Sequence, residues 1–137
     1  MVREIVRDTF FLQKKSEPAN KEDVAIASDL LDTLQAHSHH CVGLAANMIG
    51  ESKRIIAVKA DHACIAMLNP EIAKHSAKQY KATEGCLSLD GERETLRYDW
   101  VEVKYRDMDF KRARHRFSGF TAQIIQHELD HCNGILI

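Results

Sequence analysis

No stretch of the chain approaches the ~18 consecutive apolar residues that a membrane-spanning helix needs. The N-terminus lacks the charged-then-apolar region and small-residue cleavage site of a secretory signal, so a cytoplasmic protein is expected. There is little net charge. Nineteen Lys and Arg against 20 Asp and Glu leave −1, too little to draw nucleic acid or an anionic membrane over a distance. Neither a membrane nor a specific nucleic-acid partner is therefore expected. No C-x-x-C pair links Cys41, Cys64, Cys86 and Cys132. Without secretion these cysteines read as buried thiols or a metal ligand and not as a disulfide framework. Repeats, linkers and low-complexity segments are also missing, and 137 residues suit one domain, 1–137.

What is present is concentrated at the C-terminus, in His127-Glu128-Leu129-Asp130-His131. Two histidines four apart on a helix project from one side, so both imidazoles can reach a single metal ion. The glutamate between them is the usual general base of such a site. H-E-x-x-H enzymes commonly take a third ligand from downstream. Only Cys132-Asn133-Gly134-Ile135-Leu136-Ile137 follows, with Ile137 where a third histidine would fall. A third ligand other than Cys132 must come from upstream, and Cys132 lies off the two-histidine face.

Hydrophobic periodicity predicts an N-terminal arm over 1–20 and a helix over about 21–38 capped by Asn20. Strands are predicted at 54–59, 64–68, 71–80, 84–89, 100–106 and 110–117, with turns at Asp61-His62 and Asn69-Pro70. A final helix over about 120–132 turns Ile124, Ile125, His127, Leu129 and His131 inward. The order helix, strands, helix makes the fold α+β, with antiparallel strands packed around a C-terminal metal-binding helix.

Upstream, Glu84-Gly85-Cys86-Leu87-Ser88 stands out. A thiolate beside a glycine is a good soft ligand, and one cysteine with two histidines leaves a fourth tetrahedral position free. With these residues the chain resembles the peptide deformylases, which carry three motifs in order: G-x-G-x-A-A-x-Q, E-G-C-x-S and Q-H-E-x-D-H. The second is complete as Glu84–Ser88 and the third as Gln126–His131; the first is partial, as Cys41-Val42-Gly43-Leu44-Ala45-Ala46-Asn47-Met48. The resemblance spans nearly the whole chain. It implies Cys86, His127 and His131 as metal ligands, Glu128 as general base and acid, and the backbones of Gly43 and Leu87 along the substrate and oxyanion positions. It also implies Fe(II) as the ion, with Zn(II), Ni(II) or Co(II) as substitutes, and a formyl-methionyl peptide as substrate. Such an ion acidifies water and polarises the formyl carbonyl. Asp130 is expected to support either a ligand imidazole or the helix.

The first motif departs from the family pattern. Met48 replaces the glutamine whose amide donates to the developing oxyanion, and methionine has no donor. Losing one such donor costs ~10²–10³ in kcat, so slowed turnover is implied. Asn47 is a poor replacement, because adjacent residues point differently. Cys41 stands for the first glycine, Asp90 for a common proline and Cys132 for a usual leucine. The C-terminal extension of many members does not follow Ile137. The alternative reading is a catalytically impaired or repurposed deformylase-like protein that binds metal and a peptide N-terminus. His37, His39 and His40 read as a solvated helix end. Lys111–Arg116 could offer transient ribosome contact, but a solvated strand face is the better reading because no aromatic residue is interleaved.

Overall fold

The computed structural model describes residues 1–137. The fold is α+β, as expected. The arm carries a short helix, α1 (Thr9–Leu12), capped by the Asp8 side chain. Asn20 starts the next helical segment: its side chain accepts from the Glu22 amide, and Asp23 reaches back to the Asn20 amide at 2.8 Å. This reciprocal cap holds one 3-10 turn (Lys21–Asp23) that runs into α2 (Val24–Ala36). Ala27, Leu30 and Leu34 of α2 are buried.

Five antiparallel strands form the main sheet in the order β1-β2-β3-β6-β7. They are β1 (Gly43–Ala45), β2 (Ile55–Ala60), β3 (Ala63–His75), β6 (Trp100–Arg106) and β7 (Arg112–Ser118). Between them in sequence, β4 (Gln79–Cys86) and β5 (Leu89–Tyr98) pair only with each other. The C-terminal helix α3 (Gly119–Cys132) buries Ala122, Ile125, Leu129 and Cys132 in the common core.

The structure corrects the strand boundaries: the predicted strand 71–80 divides at 76–78 between β3 and β4, the predicted strand 84–89 turns at 87–88, and two further changes concern Asn69-Pro70 and β5. Asn69-Pro70 does not break a strand: β3 runs through it with a register shift between Leu68 and Glu71. Asn69 adopts φ +53 there, and its amide group both accepts from Ala19 N (2.7 Å) and donates to Ala19 O (2.8 Å). The turn-forming residue thus makes a bulge and pins the arm to the sheet. The second miss is β5. Its charge-dense beginning, Leu89-Asp90-Gly91-Glu92-Arg93-Glu94, has no apolar alternation to mark a strand. Its regularity comes from pairing with β4, in register from Gln79↔Tyr98 to Gly85↔Glu92.

Candidate metal centre

Two elements far apart in sequence build the centre. Cys86 ends β4, where the ladder slips between Gly85 (opposite Glu92) and Cys86 (opposite Leu89). Such a slip re-aims the side chains around it. The Ser88 amide then lies 3.4 Å from Cys86 Sγ and points at it. From α3, His127 Nε2 stands 3.2 Å from His131 Nε2, and His131 Nε2 stands 3.3 Å from Cys86 Sγ. The three donor atoms lie within 4.8 Å of one another. Ligands held at ordinary Zn–N and Zn–S distances on a tetrahedron are separated by roughly 3.3–3.6 Å, so the two short separations fit one ion.

The electrostatics fit a cation as well. Burial works against charge on His127, but hydrogen bonds to Cys86 and Glu84 outweigh it and raise the imidazole to about 10. Burial, reinforced by His127, pushes His131 down to about 3. The surroundings stabilise positive charge at this point while denying the second ring a proton. A divalent ion bound by both Nε2 atoms and the thiolate satisfies both demands.

Glu84 holds His127 in place. Its Oε1 accepts from His127 Nδ1 at 2.7 Å, which leaves Nε2 free to ligate. Arg97 in turn grips Glu84 from both sides, Nε to Oε2 at 2.9 Å and Nη2 to Oε1 at 2.7 Å. Arg97 Nη1 donates to Asp130 at 2.8 Å. Asp130 therefore supports the imidazole only through Arg97 and Glu84, a route not among the two expected from sequence. Glu84 and Arg97 are both buried. Burial alone would raise the Glu84 carboxyl, but His127 and Arg97 bring it down to about 2. Gln126 closes the arrangement, pairing its amide with both Tyr98 N (2.8 Å) and Tyr98 O (3.0 Å) and so tying β5 to α3. In the sequence Glu84 and Gln126 are motif positions without roles, and nothing sets Arg97 apart from the other charges of 90–97.

Cys86 and His127 line a cavity of about 400 Å³ together with Cys41, Val42, Gly43, Leu87, Phe120, Ile124 and Glu128. A larger cleft of about 620 Å³ opens on the side of α3 that carries Gln126, Asp130 and Asn133, and none of the donors lines it. Glu128 is buried, its Oε1 has no partner, and burial raises its carboxyl to about 7. An unpartnered carboxyl at the floor of a cavity is available to exchange a proton with whatever enters. Gly43 makes room for it: a Cβ there would lie 2.6 Å from Ile124 Cγ2 and 2.9 Å from Glu128 Oε2. Gly43→Ala is accordingly expected to displace Glu128 and lower kcat ~10-fold or more without changing bound metal. Steady-state kinetics beside metal analysis would check it, and unchanged kcat would refute the close-packing argument.

Met48 is buried in the 3-10 turn Ala46–Ile49 and does not line the cavity; its sulfur receives the Ala45 amide at 3.4 Å. Asn47 is also buried, and its amide donates to His131 O at 2.9 Å, so it is committed to the helix. Cys132 lies in the core, its thiol pushed up to about 12 by burial. The rings of His37, His39 and His40 contact one another edge-on and do not converge as a ligand group.

The family model described as polypeptide deformylase matches residues 2–137. The chain belongs to the peptide deformylase family. A peptide deformylase of Clostridium beijerinckii is 51% identical over 137 residues, covering 100% of both chains. One from Picosynechococcus is 35% identical, over 94% of this chain and 72% of that protein. The crystal structure of a class I type b peptide deformylase from Acinetobacter baumannii with Met-Ala-Ser bound superposes with a TM-score of 0.89. It is 29% identical and covers 99% of this chain and 97% of its own. Deformylases use a divalent metal, and the donor atoms of Cys86, His127 and His131 form a group that could hold one. No helix is long and apolar enough to cross a membrane.

Proposed function

We propose that this deformylase holds one divalent ion, Fe(II), between Cys86, His127 and His131, and removes the formyl group from N-terminal formyl-methionine of nascent peptides in the cytoplasm. The observation that carries the reading is the convergence of the three donor atoms beside a buried, unpartnered glutamate. Thiolate and imidazole donors also accept Zn(II), Ni(II) and Co(II). When bound, the ion supplies Lewis acidity toward water and the formyl oxygen.

The remaining work falls to the chain. Val42, Leu87, Phe120 and Ile124 give the cavity an apolar wall for a methionine side chain. Glu128 takes a proton from the attacking water as its oxygen bonds to the formyl carbon. It then gives that proton to the amine nitrogen as the C–N bond breaks, releasing formate and a free N-terminus. The Leu87 backbone N–H is the donor for the oxygen that gains charge. Transient ribosome contact would bring the enzyme to its substrate.

Formyl-Met-Ala-Ser hydrolysis by anaerobically purified, Fe(II)-loaded protein tests the activity, with metal analysis of Cys86→Ala as the companion measurement. Hydrolysis by the parent and sub-stoichiometric metal in the variant are expected. Absence of hydrolysis with full metal occupancy would favour the repurposed binding protein, the reading that Met48 supports.

Met48→Gln is expected to raise kcat ~10-fold or more. Met48 lies outside the cavity lining, so the gain requires the glutamine NH₂ to reach past the 3-10 turn toward the cavity while its carbonyl accepts the Ala45 amide that the sulfur now receives. No gain at equal metal content would show that another donor serves the oxyanion or that formyl peptides are not the substrate.

A further inference from the structure

From the cation-rich outer face of the main sheet, we infer that this surface binds the phosphodiester backbone of RNA, without reading bases. Alternation in β6 and β7 places Trp100, Glu102, Lys104 and Arg106 on the same side as Arg112, Arg114 and Arg116, through the pairs Glu102↔Arg116, Lys104↔Arg114 and Arg106↔Arg112. From β3, Glu71 joins this face opposite Lys104, and Lys74 opposite Glu102. The face thus gathers six cations, Lys74, Lys104, Arg106, Arg112, Arg114 and Arg116, against two carboxylates. It does so on a chain whose net charge is −1.

The carboxylates do not neutralise it. Glu102 engages Arg114 (Nε at 2.6 Å) and, more distantly, Arg116 at 3.8 Å. Lys74, Lys104 and Arg112 form no ion pair, and Arg106 reaches only the Phe110 carbonyl at 3.3 Å. A depression of about 470 Å³ is lined by Lys104, Arg106, Arg112 and Arg114, with Glu71 as its only acid. Pairing of β6 with β7 also supplies an aromatic neighbour that 111–116 lacks, since the Arg116 guanidinium lies 3.9 Å from the centre of the Trp100 ring, and in the β6–β7 turn Arg106 lies 5.2 Å from Phe110. Stacked arginines are held flat and ready to pair with phosphate.

Phosphate is the anion that a row of such cations fits, and its release of counterions drives binding. An anionic bilayer offers the same chemistry, but no exposed large apolar side chain lies on β6 or β7 to insert into it. The choice of RNA over DNA rests on the formyl-peptide reading, because nascent peptides emerge from an RNA machine. Binding and hydrolysis are separate measurements, so failure of one leaves the other standing.

The test is fluorescence anisotropy of a labelled 20-nucleotide RNA of mixed sequence with the full chain, in 50 and 200 mM KCl. With four phosphate contacts the affinity should fall about fifty-fold between those salts. Lys104→Ala/Arg106→Ala/Arg112→Ala should bind at least ~10-fold more weakly, with the salt slope reduced by about 2, while formyl-Met-Ala-Ser turnover stays at the parental rate. Arg112→Gln, a change on the exposed edge strand, should lower the slope by about 0.7 and reports the same contact if the triple variant folds poorly. Lys14→Ala/Lys15→Ala on the arm should bind like the parent. The inference is overturned by absence of RNA binding in 50 mM KCl or by unchanged binding in both face variants. Duplex DNA should compete through the same backbone contacts, whereas equal binding to vesicles of 30% phosphatidylglycerol in phosphatidylcholine would overturn the assignment to RNA.

Discussion

Glu128→Ala is expected to lower formyl-peptide turnover by ~10²–10⁴-fold while leaving one metal per chain. That range is the usual contribution of a positioned general acid–base. Glu128 sits one residue from His127 but does not join the donor cluster, so its removal takes away no ligand. Its environment suits proton exchange. Burial holds the carboxyl near 7, with His127 pulling the other way, and Gly43 leaves its Oε2 unobstructed. Truncation also removes a buried polar group that has no partner on Oε1, so folding stability should not suffer. Metal analysis, thermal unfolding and kcat on one preparation separate these effects. Parental turnover in a metal-replete variant would exclude Glu128 from the chemistry, and loss of metal would make it a ligand.

Arg97→Met is expected to destabilise the fold by ~3–5 kcal/mol, the usual result of removing one member of a buried ion pair and leaving the other. At this chain length that is roughly 10–20 °C in Tm. Methionine nearly matches the volume, so the loss comes from Glu84, which keeps only His127 as a partner. Asp130 is more exposed and can turn to water. The pH dependence gives a sharper check. In the parent the Glu84 carboxyl is held at about 2, against the tendency of burial to raise it. A carboxyl depressed in the folded state contributes stability above its ordinary value of 4.5, and loses that contribution as pH falls toward about 2. Without Arg97 the folded value rises, so the acid unfolding limb should begin at higher pH. Urea unfolding from pH 7 to pH 3 would measure this. An unchanged acid limb together with unchanged Tm would mean that Arg97 does not support Glu84.

Sequence alone determined the chemistry of the centre, because its signals are local. His127 and His131 share a helix, so four-residue spacing fixes their common side. The motif around Cys86 is contiguous, and Asn20 caps by accepting from the Glu22 amide two residues along the chain. The two outer helices and most strands were legible for the same reason, as apolar periodicity is a property of neighbours. Tertiary structure decided what depends on pairing across distance. β5 has a charged sequence and becomes a strand only against β4. Asn69 looks like a turn and becomes a bulge because Ala19 binds its side chain. Arg97 is one charge among many in 90–97 until folding buries it between Glu84 and Asp130. Arg116 acquires an aromatic neighbour only when Trp100 of β6 is laid beside it. Hydrogen-bond and charge partners on different elements leave no periodic trace in a single chain, since nothing in the spacing of one partner encodes the position of the other.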